Sequence, residues 1–98
     1  ISTSARMRIE GNPLERESRF ILLAGSELSP HIAYEPAGRL RQIYADSISN
    51  LKVTKDIVLK SPTQPAQIVA GASRNGWVYW KDSAGNTLHD RFRASEDL

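Results

Sequence analysis

The spacing of apolar residues changes several times along this chain, and each change predicts a new element. In "ARMRIE" (5–10), Ala5, Met7 and Ile9 alternate with Arg6, Arg8 and Glu10, the period of two expected of a half-buried strand. "GNPLERES" (11–18) is turn chemistry and charge, and reads as a loop. "RFILLAGSELS" (19–29) is nearly continuous apolar until Gly25, which predicts a central strand that pairs back on the first as a hairpin and bulges at Gly-Ser. "HIAY" (31–34) is expected to add one short strand. In "EPAGRLRQIYADSISN" (35–50) the period becomes helical. Ala37, Leu40, Ile43, Tyr44, Ser47 and Ile48 fall on one face, with Arg39, Arg41, Gln42 and Asp46 elsewhere on the wheel. Pro36 suits the first turn of this helix and Asn50 its end.

"LKVTKDIVLKS" (51–61) returns to strand character, with Val53, Ile57 and Leu59 as core positions. "SPTQPAQIVAGAS" (61–73) predicts a second helix with Ser61 as N-cap, Pro62 as first helical residue and Gln64 as capping-box partner. Ala66, Val69 and Ala70 face inward in this helix, and Gly71 ends it. Pro65 lacks the N–H that would bond back along the chain, so it implies either an irregular first turn or a start nearer Gln64. "NGWVYWKD" then reads as a strand after an Asn-Gly turn of positive φ. "SAGN" is a turn, and "TLHDRFR" (87–93) a short final helix with Leu88 and Phe92 at i, i+4. The sum is an α+β domain, a small and largely antiparallel sheet with two to three short helices packed on it.

At 98 residues the chain reads as a single domain, 1–98, with 94–98 a fraying tail. It opens on Ile1 rather than Met, as expected of a domain excised from a longer protein. There is no cysteine, hence no disulfide and no thiolate metal site. The longest apolar run, Phe20 to Ala24, is far short of the ~20 residues a membrane span needs. No signal peptide is visible, so a cytoplasmic location without membrane association is expected.

The formal net charge is only +2, but it is unevenly spread. Residues 1–48 hold six basic and six acidic side chains; residues 49–93 hold seven basic against three acidic. An anion-facing surface would therefore lie mainly on the second half.

That half also holds both tryptophans. Read as a strand, "NGWVYWK" sends Trp77, Tyr79 and Lys81 to one face and Val78, Trp80 and Asp82 to the other. Val78 with Trp80 is then the core set, while Trp77 and Tyr79 beside Lys81 form a surface able to stack nucleobases. The alternative is that Trp77 too is spent on covering the sheet. Ser61, opening a helix, has a hydroxyl beside free backbone N–H groups, which suits either simple capping or a phosphate. Lys60, Arg74, Lys81, Arg91 and Arg93 are candidates for phosphate contacts, or else ordinary solvated cations.

Catalysis has little to stand on. His31 and His89 lie in unrelated segments, and adjacent helical residues such as His89 and Asp90 diverge. No carboxylate pair, nucleophile motif or metal-ligand spacing is present, so no enzyme activity, metal or cofactor is expected.

The stretch "SPTQPAQIVAGASRNGWVYWKDSAGNTLHDRFR", and "RNGWVYWKDSAGNTL" within it above all, resembles the signature of a domain of unknown function appended to the C-terminus of GIY-YIG nuclease proteins. "FILLAGSELS" and "GRLRQIY" match that family's strand and Leu-Arg helix, so the likeness spans nearly the whole chain. The Ser-Pro…Asn-Gly-Trp arrangement is also similar to the domain associated with restriction enzymes and adenine methylases, for which DNA binding is implied. The chain has no GIY or YIG motif, so any nuclease chemistry lies outside these residues. The resemblance implies a non-catalytic module that contacts duplex DNA mainly through the backbone and tethers a nuclease or restriction-modification protein. The competing expectation is a protein-interaction or structural module packed against the nuclease or methylase part of its own chain.

Overall fold

Arg19–Leu22 forms the central strand, β2, of a three-stranded antiparallel sheet in the computed structural model, which describes residues 5–93. Strand β1 (Met7–Glu10) pairs on one side of it, with Met7 opposite Leu22 and Glu10 opposite Arg19. The unbroken apolar run of β2 follows from its position: Phe20, Ile21 and Leu22 are all buried. β1 lies at the edge, and its half-buried Met7 and Ile9 alternate with exposed Arg8 and Glu10 as the period predicts. The sheet's other edge is β5 (Ile57–Leu59), whose outer residues are buried while Val58 is exposed.

After Leu22 the chain does not continue as a bulged strand. Gly25 turns it at φ +92°, and the following residues join a second, smaller sheet. That sheet is a hairpin of β3 (Ile48–Ser49) and β4 (Lys52–Val53). The Ser26 carbonyl accepts from the Val53 N–H, and the Leu28 N–H donates to the Leu51 carbonyl. The hairpin replaces the end of the long helix expected over 35–50. Helix α1 covers only Glu35–Ile43, and a 3₁₀ turn at Ala45–Ser47 leads into β3. Asn50 and Leu51, at φ 53° and 59°, make the two-residue turn with both central residues left-handed that tight hairpins favour. Asn50 thus turns a hairpin instead of ending a helix. The shortened α1 also changes the faces: Ile43 is exposed, whereas Arg41 is buried.

Helix α2 (Thr63–Ala70) packs against β2 and completes the core, where Ile68 and Val69 meet Leu22, Leu28, Val53, Ile57 and Leu59. Each such buried side chain contributes about 1.5–3 kcal/mol. Because the helix starts at Thr63, Pro65 is its third residue, still in the first turn where its missing N–H would have had no intrahelical partner. Ala66 and Val69 are buried and Ala70 half-buried. Gly71 ends the helix at φ +66° as expected, and a second constraint acts on it: a Cβ there would sit 2.1 Å from the His31 carbonyl oxygen.

His31 is that close because residues 31–34 do not form a strand; they run past the C-terminal end of α2. The Ser29 N–H donates to the Val69 carbonyl at 2.8 Å and the Ala33 N–H to the Gly71 carbonyl at 2.7 Å. Arg41 completes this end, donating from Nε to the Ile68 carbonyl at 2.9 Å and from Nη2 towards the Val69 carbonyl at 3.4 Å. Burial pulls the Arg41 pKa below its ordinary value. A buried guanidinium persists here because the carbonyls that a helix leaves open at its end receive it.

The last elements are α3 (Gly76–Tyr79) and a π-wound helix at His89–Arg93. Among the described residues the fold is therefore α+β, with a three-stranded and a two-stranded antiparallel sheet, three α-helices, the 3₁₀ turn and the π-wound helix. Among the described residues no helix is long and apolar enough to cross a membrane. The expected fraying tail, 94–98, lies outside the described residues.

Candidate nucleic-acid interface

"NGWVYW" is not a strand. Asn75, in extended conformation at φ −87°, caps α3 by accepting the Trp77 N–H on its side-chain oxygen at 3.0 Å. Gly76 is not in the left-handed region either; it is glycine because of what lies against it. A Cβ on Gly76 would fall 2.1 Å from both the carbonyl carbon and oxygen of Pro62, and 2.4 Å from the Thr63 nitrogen. Gly76 N–H donates to Thr63 Oγ1 at 3.1 Å, and Trp80 Nε1 donates to the Pro62 carbonyl oxygen at 3.0 Å. The aromatic segment is thus a clasp on the start of α2.

One helical turn abolishes the two-sided arrangement expected of a strand. Val78, expected in the core, is exposed, and Trp77 is half-buried. Tyr79 and Trp80 both pack against the core, edge to face, with ring centroids 5.2 Å apart. Trp80 holds the fold, as the sequence implied, but Tyr79 does so with it and does not share a platform with Trp77 and Lys81.

After Trp80 the chain makes a tight loop closed by pairing of Lys81 with Thr87. Asp82 organises it: Oδ1 accepts the Ala84 and Asn86 N–H groups at 2.9 Å, and Oδ2 accepts Arg91 Nη1 at 2.8 Å. The Arg91 hydrogen bond, followed by that from Asn86, holds the Asp82 carboxyl below the usual carboxylate range. Thr87 and Asp90 then cap the final helix reciprocally. Thr87 N–H donates to Asp90 Oδ2 at 3.0 Å, and Asp90 N–H to Thr87 Oγ1 at 3.1 Å. These Thr87 contacts lower the Asp90 pKa.

This C-terminal lobe leaves a cleft of about 480 Å³ between itself and β1. Met7 and Ile9 of β1, with Ala5 before it, form one wall; Trp80, Leu88 and Phe92 form the other. Around it stand Arg6, Lys81, Asn86 and Arg91. Arg6, Lys81 and Arg91 are exposed, and Asp82 is the acidic side chain among the lining residues. Two of the sequence candidates, Lys81 and Arg91, are therefore brought together.

The others lie elsewhere. Lys60 and Ser61 lead into α2, and Arg74 leads into α3 with its guanidinium on the Ser73 carbonyl at 2.8 Å. Ser61 Oγ accepts from the Gln64 N–H at 3.4 Å, the geometry of a weak cap; among the described residues Gln64 makes no reciprocal bond. Trp77 does not line the cleft, and the side chain of Arg93 lies outside the described residues. Sequence reasoning missed Arg6 and Phe92 as cleft residues. Arg6 reads as the outward half of a strand alternation, and it is the return of the C-terminal lobe that brings Lys81 and Arg91 to the same cleft.

Among the described residues no group of three or more His, Cys, Asp or Glu side chains is placed to hold a metal ion. No curated protein and no solved structure shows significant similarity to this chain. A family model does match it, over residues 2–91, and the chain belongs to that family, described as a domain of unknown function (DUF4357).

Proposed function

We propose that this domain is a non-catalytic accessory module that binds duplex DNA and tethers a cytoplasmic nuclease or restriction-modification protein to it. The observation that carries the reading is the meeting of Arg6, Lys81 and Arg91, from segments distant in sequence, around one cleft. Cations gathered on one surface are what phosphate contacts require, each displacing condensed counterions from the duplex. The resemblance of "RNGWVYWKDSAGNTL" to the domain appended to GIY-YIG nucleases supports the tethering role. The NGW segment is better explained as the clasp that fixes the lobe carrying Lys81 and Arg91 than as a contact surface in its own right.

Fluorescence anisotropy with a labelled duplex at two salt concentrations tests the reading. Binding is expected to weaken steeply as salt rises, and Arg6→Glu with Lys81→Glu to weaken it further. Absence of binding at low salt, or binding indifferent to both charge reversals, overturns it. The second reading, a module packed against the nuclease or methylase part of its own chain, is favoured by exposed Ile43 and Val78. It expects little dependence on salt.

A further inference from the structure

The geometry points to the cleft between β1 and the C-terminal lobe as a pocket for a single unstacked nucleotide of the bound strand, a role that rests on the DNA-binding reading. A surface built only for phosphates has no use for an apolar interior. Here the cations surround a concavity walled by Met7, Ile9, Trp80, Leu88 and Phe92. Its volume of about 480 Å³ falls within the range of small-ligand sites. A paired base keeps its faces inside the helical stack, so only a base that has left the stack could fill such a cavity. An aromatic ring accepts any base, because every base has a π-face.

The polar groups fit the same occupant. Among the described residues the side chains of Arg6 and Lys81 have no ion-pair partner, which leaves their donors for the phosphates on either side of the nucleotide. The Asp82 carboxylate holds Arg91 at 2.8 Å and fixes its direction, while among the described residues its other side-chain N–H groups have no partner. Asn86 lies in the loop that Asp82 organises, and its side-chain amide presents a donor and an acceptor to a base edge. A peptide with apolar side chains could occupy the walls, but it would leave the surplus of cations without a counterpart.

The test compares a perfectly paired duplex with the same duplex carrying one unpaired nucleotide, both titrated against the whole 98-residue chain by anisotropy. The bulged duplex is expected to bind about 5- to 150-fold more tightly, the worth of one stacked base. That preference should disappear in Phe92→Ala and shrink in Asn86→Ala, an exposed loop substitution, whereas Arg74→Ala, outside the cleft, should keep it. Equal affinity for the two duplexes, with the salt dependence intact, overturns the pocket and leaves the DNA-binding reading standing. So does a preference that survives both substitutions. Failure to bind either duplex at low salt overturns the DNA-binding reading and the pocket with it. Titration with a deoxynucleoside monophosphate, read by the fluorescence of a Trp77→Phe variant in which Trp80 is the remaining tryptophan, separates the sources. A response to the monophosphate as strong as to the bulged duplex would mean a free-nucleotide site, and would also overturn the pocket as a strand contact.

Discussion

The indole Nε1 of Trp80 donates to the carbonyl oxygen of Pro62 at 3.0 Å, so the second tryptophan of the NGWVYW segment is tied to the residue from which α2 starts. Replacing the indole by a smaller ring without an N–H removes this hydrogen bond and part of the packing of Trp80 against the core. Trp80→Phe is therefore expected to cost about 1–3 kcal/mol, measured by urea unfolding. Val78→Thr, two residues earlier on exposed surface, should change stability by less than about 0.5 kcal/mol. Equal costs for the two would refute the division of labour within this segment.

Gly76 admits no side chain, because Pro62 and Thr63 occupy the space its Cβ would need. Gly76→Ala should destabilise by about 2–4 kcal/mol, since backbone rather than a flexible side chain must move. For a domain of this size the melting temperature should fall on the order of 10–20 °C. A variant that melts with the parent would show that α3 can lift from α2 freely.

Leu51 sits at φ 59°, a conformation that costs a residue with a Cβ roughly 1–2 kcal/mol. It is also more than a third exposed, so its side chain contributes little packing. Leu51→Gly is expected to raise stability by up to about 1 kcal/mol, partly offset by the greater freedom of glycine in the unfolded chain. Thermal unfolding followed by circular dichroism checks the sign.

Acid should loosen the C-terminal loop. The Asp82 pKa is depressed in the folded state, first by the Arg91 hydrogen bond and then by the Asn86 backbone. Its stabilising contribution is therefore full above the unfolded carboxylate value of about 3.9, and is lost as pH falls through the lower folded value. Asp82→Asn should melt earlier than the parent at neutral pH, and the gap should narrow below about pH 4. A gap independent of pH would mean that the carboxylate's charge is not what holds the loop.

In DNA binding, Lys81→Ala should reduce the slope of log affinity against log salt by about one, as removal of one phosphate contact does. Arg74→Ala, outside the cleft, should leave the slope near its parent value. The reverse ranking would move the contact surface to the start of α2 and α3.

How far the sequence could be read depended on the range of the forces at each position. β1 and β2 are legible in Ala5, Met7 and Ile9 and in Phe20 to Leu22, because burial of one face or both writes a local period. Gly71 was legible as a helix end for another local reason, that glycine takes the left-handed φ of +66° without steric cost. Arg41 was not, since its partners are carbonyls 27 and 28 residues further on and its spacing looks like that of any solvated cation. The Asn50-Leu51 turn was obscured by a leucine where glycine is usual. In NGWVYW the alternation of aromatic and aliphatic residues reads as a strand, yet Gly76 against Pro62 and the Asn75 cap impose a helical turn. The cleft needed the chain's two ends together, and only Lys81 and Arg91 of its cations carried any advance sign.

Helix α2 has eight residues, too few to persist alone in water, and both of its ends are held by groups outside it. Gly76 and Trp80 bind its beginning, and Ser29, Ala33 and Arg41 bind its close. A helix held in this way has no free terminus from which to fray. Its amide protons should exchange with deuterium only when the whole domain opens, at a rate set by global stability.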